Sequence, residues 1–220
     1  MSAYVLMKAL ESAPDRYEWG IRLLTLGQVD RAYDRLATHV QAGQSVLDVG
    51  CGTGALTVRA AQRGAAVRGI DVSARMLDQA RRNAERGGYG EQVEWIEMGV
   101  VELDREPEQS RQVVMSGLCF SELTDGERSF ALAQAYRILE PGGLLLLADE
   151  VVPQSVLRRV LYALVRWPLA LLTYLLTQTT THGLRDLRQQ VEQAGFVLES
   201  YRLNRLHSFA ELAARRPLES

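Results

Sequence analysis

The sequence has few of the residues that build metal sites and disulfide frameworks. Only two cysteines occur among its 220 residues, Cys51 and Cys119, too few for a disulfide scaffold or a four-cysteine zinc site. The three histidines, His39, His182 and His207, stand far apart and show no metal-ligand spacing. We therefore predict no metal cofactor and expect a reducing, cytoplasmic environment.

The sequence also lacks an excess of charge of either sign and a long uninterrupted apolar run. Its 25 basic and 27 acidic side chains give a net charge of -2, without the basic surface that nucleic-acid binding requires. The first residues, MSAYVLMKALESAPDRYEWG, lack the basic and apolar regions of a signal peptide. No segment reaches the roughly 20 consecutive apolar residues of a transmembrane helix. We expect neither a nucleic-acid partner nor a transmembrane segment.

What the sequence does contain is a regular alternation of apolar runs and amphipathic segments. The apolar runs are typical of buried parallel strands and lie at 45–50, 65–71, 92–99, 112–118 and 144–150. Segments with helical spacing lie within 16–40, where Gly27 marks a break, and at 55–64, 73–88, 124–143 and 183–196. Two closing segments, 196–203 and 207–216, could form an antiparallel hairpin. The predicted fold is α/β, with a doubly wound, mostly parallel, seven-stranded sheet.

A glycine-rich turn follows the first predicted strand, at the edge of the sheet where ligands bind in this fold class. It reads DVGCGTG, from Asp48 to Gly54, and the second strand ends in Asp71, whose carboxylate can accept hydrogen bonds from two ribose hydroxyls. The spacing G-x-G-x-G differs from the G-x-G-x-x-G of dinucleotide sites. An acid at Asp48 would repel a pyrophosphate but suits an ammonium group. These residues favour S-adenosylmethionine over NAD.

The stretches VLDVGCGTGAL, RGIDVSARML and ILEPGGLLLLADE resemble the class I S-adenosylmethionine-dependent methyltransferases. The resemblance implies a Rossmann-like core over 41–150 and a cofactor site assembled from several turns. Asp48, Gly50 and Gly52 correspond to the methionine end, Asp71 to the ribose, and Val72 and Met76 to the adenine. The turns after the third and fourth strands also belong to this site, and we assign Tyr17, Cys51, Gly99, Val100, Ser116 and Gly117 to it.

Two positions depart from the pattern of that family. Many of its members have an aspartate where Val100 stands, which holds the adenine amine, so here the contact would be apolar, through the backbone, or from Glu102 or Asp104. The fourth strand usually opens with an aspartate, and Gln112 occupies that place.

A narrower resemblance extends over nearly the whole chain. The stretches MKALESAPDRYEWGIRLLTLG, SGLCFSEL, ADEVVP and TYLLTQTTT are similar to the corrinoid protein-associated methyltransferases. No Asp-x-His-x-x-Gly cobalamin signature is present, so a corrinoid would belong to a partner protein. Quinone C-methyltransferases share the acidic end of the fifth strand, but SGLCFSEL lacks their usual Arg-Asn turn.

The apolar segment WPLALLTYLLTQTTTHG, at 167–183, is too short to span a membrane. The family places substrate covers between strand five and the next helix, so we predict a helical lid at 151–181, joined by a cap at 1–40, with 182–220 completing the core. Cys119, Tyr174, Gln178 and His182 would line the acceptor pocket. Plain core packing, or a surface that docks a membrane or partner, remain alternatives.

The predicted function is transfer of a methyl group to a small, apolar or cofactor-like acceptor. A carbon or hydroxyl acceptor would need a base, for which Glu150 and Glu122 are the candidates. The alternatives are a non-catalytic, S-adenosylmethionine-binding partner of a corrinoid protein, a quinone- or lipid-type C-methyltransferase and, more remotely, an NAD-dependent dehydrogenase.

Overall fold

Seven strands form a single sheet at the centre of the part of the chain described by a computed structural model, residues 28–153 and 183–218. The strands are β1 Ser45–Val49, β2 Ala66–Asp71, β3 Val93–Glu97, β4 Arg111–Gly117, β5 Leu139–Glu150, β6 Val197–Leu203 and β7 Phe209–Arg215. The helices are α1 Gln28–Ala37, α2 Ala55–Gln62, α3 Ala74–Gly87, α4 Asp125–Ile138 and α5 Leu187–Gln193. Short 3-10 helices span Gly90–Gln92, Val100–Arg105 and Phe120–Glu122.

The strand order, β3-β2-β1-β4-β5-β7-β6, confirms the predicted doubly wound sheet. Strands β1 to β5 pair in parallel, whereas β7 is antiparallel to both β5 and β6, as expected for a closing hairpin. Strands β2 and β3 lie on one side of β1, and the chain then crosses to β4 on the other side of β1. This reversal opens a crevice at the carboxyl ends of β1 and β4.

Two apolar cores cover the two faces of the sheet. Alternate residues of β5 divide between them because side chains point to opposite faces of a strand: Leu145 and Leu147 meet α4 and α5, whereas Leu144 and Leu146 meet α1 and α2. Helix α1, predicted within the cap at 1–40, buries Leu36 in the second core. The described part of the predicted cap therefore contributes to the same core as the sheet.

Long-range polar contacts fix α1 on the closing hairpin. Arg35 donates Nε–H to Glu211 Oε2 at 2.7 Å and a second guanidinium N–H to Glu211 Oε1. The Asn204 amide donates to Gln28 Oε1 at 2.9 Å. Together these contacts hold both ends of α1 against β7 and the turn before it.

The predicted ends of two elements were wrong. The helix predicted over 124–143 ends at Ile138, and β5 begins at Leu139 because Pro141 and Gly142, with its φ of 80°, cannot continue a helix. A register shift in β4 between Arg111 and Val113 accommodates the longer β5. The helix predicted from residue 183 begins only at Leu187, after Leu184 has paired with Val151.

The start of α4 agrees with the predicted capping box. The Thr124 hydroxyl accepts the Glu127 N–H at 3.3 Å, and the Glu127 carboxylate accepts the Thr124 N–H at 2.8 Å. Within the described ranges, no helix has the length and apolar character needed to cross a membrane. Most of the lid predicted at 151–181 lies outside those ranges.

A buried carboxylate, which follows the 3-10 helix Val100–Arg105, joins β2 to β4 near their amino-terminal ends. Glu106 accepts hydrogen bonds from Arg68 at 2.7 Å and from Arg111 at 2.9 Å, and its side chain is only 4% exposed. Burial alone would raise the pKa of Glu106, but the bonds from Arg111 and Arg68 outweigh burial and hold the pKa below its ordinary value. The ionised form of Glu106 therefore stabilises the folded protein.

Glu106→Gln should lower the free energy of unfolding by about 2 to 3 kcal/mol at neutral pH, because it removes one charge from a buried ion pair. The depressed pKa means that this contribution is present above about pH 4.5 and disappears as the pH falls further, so the difference from the wild type should vanish there. Urea unfolding across this pH range measures both effects.

The matched control is Glu94→Gln, which removes the other carboxylate bound to Arg68, at 2.7 Å. The Glu94 side chain is 57% exposed, so its loss should cost less than about 1 kcal/mol. Equal losses in the two variants would contradict a special contribution from the buried carboxylate.

Candidate functional site

A cavity of about 590 Å³ lies at the carboxyl ends of β1, β2 and β4, at the reversal of strand order. Its floor is the glycine-rich turn between β1 and α2, and its sides are the turns that follow β2, β3 and β4. Helix α1 closes it from above the sheet through Val29 and Tyr33. Most of the predicted cofactor residues in the described ranges line this one cavity: Asp48, Gly50, Cys51, Gly52, Asp71, Val72, Met76, Gly99, Val100 and Gly117.

Each glycine of the first turn has a positive φ, but the space beside each one differs. A Cβ on Gly50 would overlap the Cys119 side chain, and a Cβ on Gly54 would lie 2.8 Å from the Trp95 ring. A Cβ on Gly52 would meet nothing within 4 Å. Gly50 and Gly54 thus permit close packing between elements, whereas Gly52 leaves the cavity floor open for a ligand.

Asp71, at the end of β2, is oriented by the backbone. Its Oδ2 accepts the Gly52 N–H at 2.8 Å and its Oδ1 accepts the Ser73 N–H at 2.9 Å. The Ser73 hydroxyl in turn accepts the Met76 N–H and caps α3. One carboxylate therefore connects the glycine-rich turn to the start of α3 at the wall of the cavity.

The residues predicted to flank an adenine form an apolar edge of the cavity. Met76 is buried, whereas Val72 is 55% exposed. Gly99 and Val100 also line the cavity, and Gly99 lies beside Val72, since a Cβ on Gly99 would be 3.2 Å from it. The edge formed by these residues is therefore apolar, which suits an adenine ring.

Glu102, one of the two alternatives for holding the adenine amine, already has backbone and ionic partners. Its Oε2 accepts the Gly99 N–H at 3.1 Å, and its Oε1 pairs with Arg105 at 2.6 Å. Asp104, the other alternative, is exposed and is not among the residues that line the cavity. At this edge, the groups that remain available to an adenine are the backbone and the Val100 side chain.

Asp48 is a carboxylate buried in the floor of the cavity. Its Oδ2 accepts the Thr57 hydroxyl at 2.5 Å, whereas its Oδ1 is buried without a hydrogen-bond partner among the described residues. Burial, with a smaller effect of the neighbouring Asp71 charge, raises the pKa of Asp48 to about 7. An unsatisfied buried acceptor costs free energy unless a ligand or water satisfies it.

The end of β4 and the turn after it place several predicted residues at the cavity, but the Ser116 side chain points elsewhere. Ser116 is buried and donates its hydroxyl to Val49 O at 2.7 Å, so its side chain links β4 to β1 and does not line the cavity. Gly117 lies so close to the Tyr33 ring that a Cβ would overlap the ring. Leu118 adopts a φ of 60°, unusual for a side chain of this size, and faces the cavity.

The two predicted bases occupy different environments. Glu122, on the 3-10 helix after β4, lines the cavity, whereas Glu150, at the end of β5, does not. The Glu122 side chain is exposed at the cavity, yet desolvation by the surrounding protein, with further contributions from the negative charges of Asp149, Asp71 and Glu150, raises its pKa to about 7. Of the two predicted bases, Glu122 is therefore the one that combines access to the cavity with titration near neutral pH.

The four remaining predicted residues, Tyr17, Tyr174, Gln178 and His182, lie outside the described ranges. Both cysteines line the cavity, and burial raises the pKa of each thiol well above its ordinary value. The two thiols are accordingly poor nucleophiles. In residues 28–153 and 183–218, no group of three histidine, cysteine or acidic side chains could hold a metal ion.

Sequence reasoning missed Tyr33, Arg59 and Asp149. Tyr33 belongs to the buried stripe of α1 and was indistinguishable from ordinary core. Arg59, in α2, extends over the Tyr33 ring and pairs with Asp30 at 3.0 Å, a tertiary arrangement with no local signature. Asp149 is 2% exposed within an apolar run, and a buried acid in that setting is a signal that was available.

Comparison with known proteins agrees with this geometry. A family model described as a methyltransferase domain matches residues 46–143. The demethylmenaquinone methyltransferase of Tropheryma whipplei is 32% identical over 192 residues, which cover 81% of this chain and 76% of that protein. The 2-phytyl-1,4-naphtoquinone methyltransferase of a Nostoc species is 31% identical over 60% of this chain and 58% of its own length.

The fold also matches solved structures. An O-methyltransferase family protein from Burkholderia thailandensis superposes with a TM-score of 0.75 at 18% identity, covering 100% of this chain and 65% of that one. At this identity the match concerns the fold alone.

Asp48→Asn should make the ligand-free protein more stable above neutral pH. Because the pKa of Asp48 is about 7 when folded and near 4 when unfolded, its contribution to the free energy of unfolding falls as the pH rises between these values. In Asp48→Asn, the free energy of unfolding should not decrease in this way. At alkaline pH it should exceed that of the wild type by on the order of 1 kcal/mol, measured by urea unfolding.

The matched control for this experiment is Asp78→Asn on α3, whose side chain is 57% exposed. It should leave the dependence of stability on pH unchanged. An equally steep fall in wild type and Asp48→Asn would assign the effect to another group.

Proposed function

Because this chain belongs to the class I S-adenosylmethionine-dependent methyltransferases, with S-adenosylmethionine as its cofactor, we propose that it methylates a small, largely apolar acceptor with an ionisable hydroxyl group. The observation that carries the proposal is Glu122, a cavity-facing carboxyl whose pKa is raised to about 7. The remaining steps concern the cofactor, the base and the acceptor.

The residues present fit the cofactor. The unpartnered Asp48 Oδ1 suits the methionine ammonium, directly or through water, and the Asp71 carboxylate, at the cavity wall, is an acceptor of the kind that binds ribose hydroxyls. The open floor at Gly52 admits a ligand close to the backbone, and the apolar edge at Val72 and Val100 suits the adenine. Ser116 and Tyr17 stay predictions, since the first side chain turns away and the second lies outside the described ranges.

In the proposed reaction, Glu122 is the base that accepts one proton. When bound, S-adenosylmethionine supplies an electrophilic methyl group on a sulfonium. The Glu122 carboxylate would accept the proton of an acceptor hydroxyl, which leaves the electron pair on the oxygen and, in an aromatic ring, on the adjacent carbons. The apolar lining of the cavity would hold the acceptor in line with the methyl group.

The lining supports an apolar acceptor. Around Glu122 the cavity is lined by Leu118, Leu123 and Val100, and it has apolar residues along most of its wall. Both relatives described above are named for quinone substrates. A reduced quinone combines a hydroxylated ring with an apolar body, so this class is the first to test, with the predicted pocket residues Cys119, Tyr174, Gln178 and His182 as further determinants.

The narrower resemblance to corrinoid protein-associated methyltransferases gains no support from the relatives described above, whose names refer to quinones. A non-catalytic role beside a corrinoid protein accounts for the described residues no better than catalysis does. The helical lid at 151–181 and a cytoplasmic location stay predictions.

Asp71→Asn should weaken binding of S-adenosylmethionine by roughly ten- to a hundredfold, because it weakens hydrogen bonds made by a charged acceptor. Asparagine retains one acceptor for the backbone, so the fold should persist. Isothermal titration with S-adenosylmethionine and with NAD measures the effect, and Asp104→Asn is the exposed control. Unchanged affinity in the Asp71 variant would contradict its role at the ribose.

The enzyme should transfer a radiolabelled methyl group from S-adenosylmethionine to a 1,4-naphthoquinol that carries a short prenyl chain. The value of kcat/KM should rise about tenfold per pH unit below 7 and level off above it, because Glu122 must be ionised. Glu122→Gln should lower kcat by at least about a hundredfold and abolish this dependence.

Glu150→Gln separates the two predicted bases, since Glu150 does not line the cavity and its loss should leave most of the activity. A naphthalene analogue without hydroxyl groups is the matched substrate control. Methylation of that analogue, or an unaltered pH profile in Glu122→Gln, would contradict a hydroxyl acceptor and the role of Glu122.

A further inference from the structure

Side chains from two other elements bind backbone groups in and beside the 3-10 helix that carries Glu122. It spans Phe120–Glu122, too short to satisfy its own backbone groups. One of its N–H groups and two nearby carbonyls are bound by side chains from other elements. These partners are an aspartate of β5 and an arginine of α4.

The aspartate is Asp149, which is 2% exposed. Its Oδ2 accepts the Ser121 N–H at 3.1 Å, across 28 residues of sequence, and its Oδ1 accepts the Glu150 N–H at 2.7 Å. Asp149 therefore acts as a helix cap supplied from a neighbouring strand. Because Ser121 directly precedes Glu122, this bond fixes the backbone from which the Glu122 side chain extends.

The arginine is Arg128, whose side chain is 13% exposed. It donates to Phe120 O at 3.3 Å and to Leu123 O, and it also pairs with Asp125. The negative charge of Asp149 thus lies at an amide of the turn, and the positive charge of Arg128 lies at its carbonyls. Each charge complements the partial charge of the groups it binds.

We propose that Asp149 is a positioning residue for Glu122: its buried carboxylate anchors the Phe120–Glu122 turn to β5 and holds the Glu122 carboxyl at the cavity wall. The inference rests on the proposed function only for what the carboxyl does there, because the placement itself depends on the described contacts. Asp149 touches neither the acceptor nor the cofactor in this proposal.

The proposal has an electrostatic consequence, since Asp149 is also a charge beside Glu122. Desolvation by the surrounding protein is the main cause of the raised pKa of Glu122, and Asp149 is the first of the charges that raise it further, before Asp71 and Glu150. The Cys119 thiol also lies near Glu122, but its own pKa is raised by burial, so it stays neutral. Arg128 is the cation that faces the turn.

The test uses nuclear magnetic resonance of the whole chain, without cofactor or acceptor. The ¹³C signal of the Glu122 carboxyl, assigned by its absence in Glu122→Gln, gives a titration midpoint. The exchange rate of the Ser121 amide hydrogen reports the anchoring bond. The variants are Asp149→Asn, which keeps one acceptor for Ser121, and Asp149→Ala, which keeps none.

Both variants should shift the Glu122 midpoint to lower pH, because each removes a negative charge beside it. Only Asp149→Ala should speed exchange of the Ser121 amide, by roughly tenfold, because only it removes the acceptor. Asp125→Asn is the matched control: it removes the charge of an aspartate that pairs with Arg128 and not with the Ser121 amide. The Asp125 side chain is 95% exposed, so its loss should change neither reading.

An unchanged midpoint in Asp149→Asn, or an equally protected Ser121 amide in Asp149→Ala, would overturn the proposal. If Asp149→Ala does not fold, Asp149→Asn still decides the question through the midpoint. Neither the Glu122 midpoint nor the Ser121 exchange rate depends on methyl transfer. A negative naphthoquinol assay would therefore not affect the conclusion about Asp149, and a negative result for Asp149 would not affect the conclusion from that assay.

Discussion

The close approach of β4 to β1 at the carboxyl end of the sheet is the constraint on which the site depends. Gly50 has no room for a side chain because Cys119 fills the space, and Ser116 fastens the two strands by donating to Val49 O at 2.7 Å. Gly117 similarly admits the Tyr33 ring. These contacts hold the turn after β4 against the glycine-rich turn, so that Glu122, which follows it, lines the cavity.

The same end of the sheet holds several carboxyl groups with raised pKa values. Asp48 and Asp149 are buried, and burial is the main cause of the rise, whereas Glu122 is exposed at the cavity and is desolvated by the protein around it. A buried carboxyl with a raised pKa reduces stability when it ionises, unless a ligand satisfies it. Glu106, by contrast, has two arginine partners and a lowered pKa. The acid bound by two arginines thus lies at one end of the sheet, and the acids with raised pKa values lie at the end with the cavity.

Local patterns predicted the sheet well because parallel strands buried on both faces are apolar runs, and the glycine-rich turn marked the site. The end of α4 was wrong because residues that are apolar in a helix are equally apolar in a strand, and Pro141 should have decided between them. The acid at Asp149 within an apolar run was a local signal that the sequence analysis did not use, whereas Tyr33 had none. Their roles come from contacts with Gly117 and Ser121, which are distant in sequence.

The bond between Arg35 and Glu211 spans 176 residues, and this separation has a consequence for synthesis of the chain. At 5 to 20 residues per second, the ribosome takes roughly 9 to 35 seconds to extend the chain from α1 to the strand that carries Glu211. Until then α1, which also packs on α2 and β5, lacks its charged contact with β7. A nascent chain therefore completes the docking of α1, the helix that closes the cavity, only after β7 has emerged and paired.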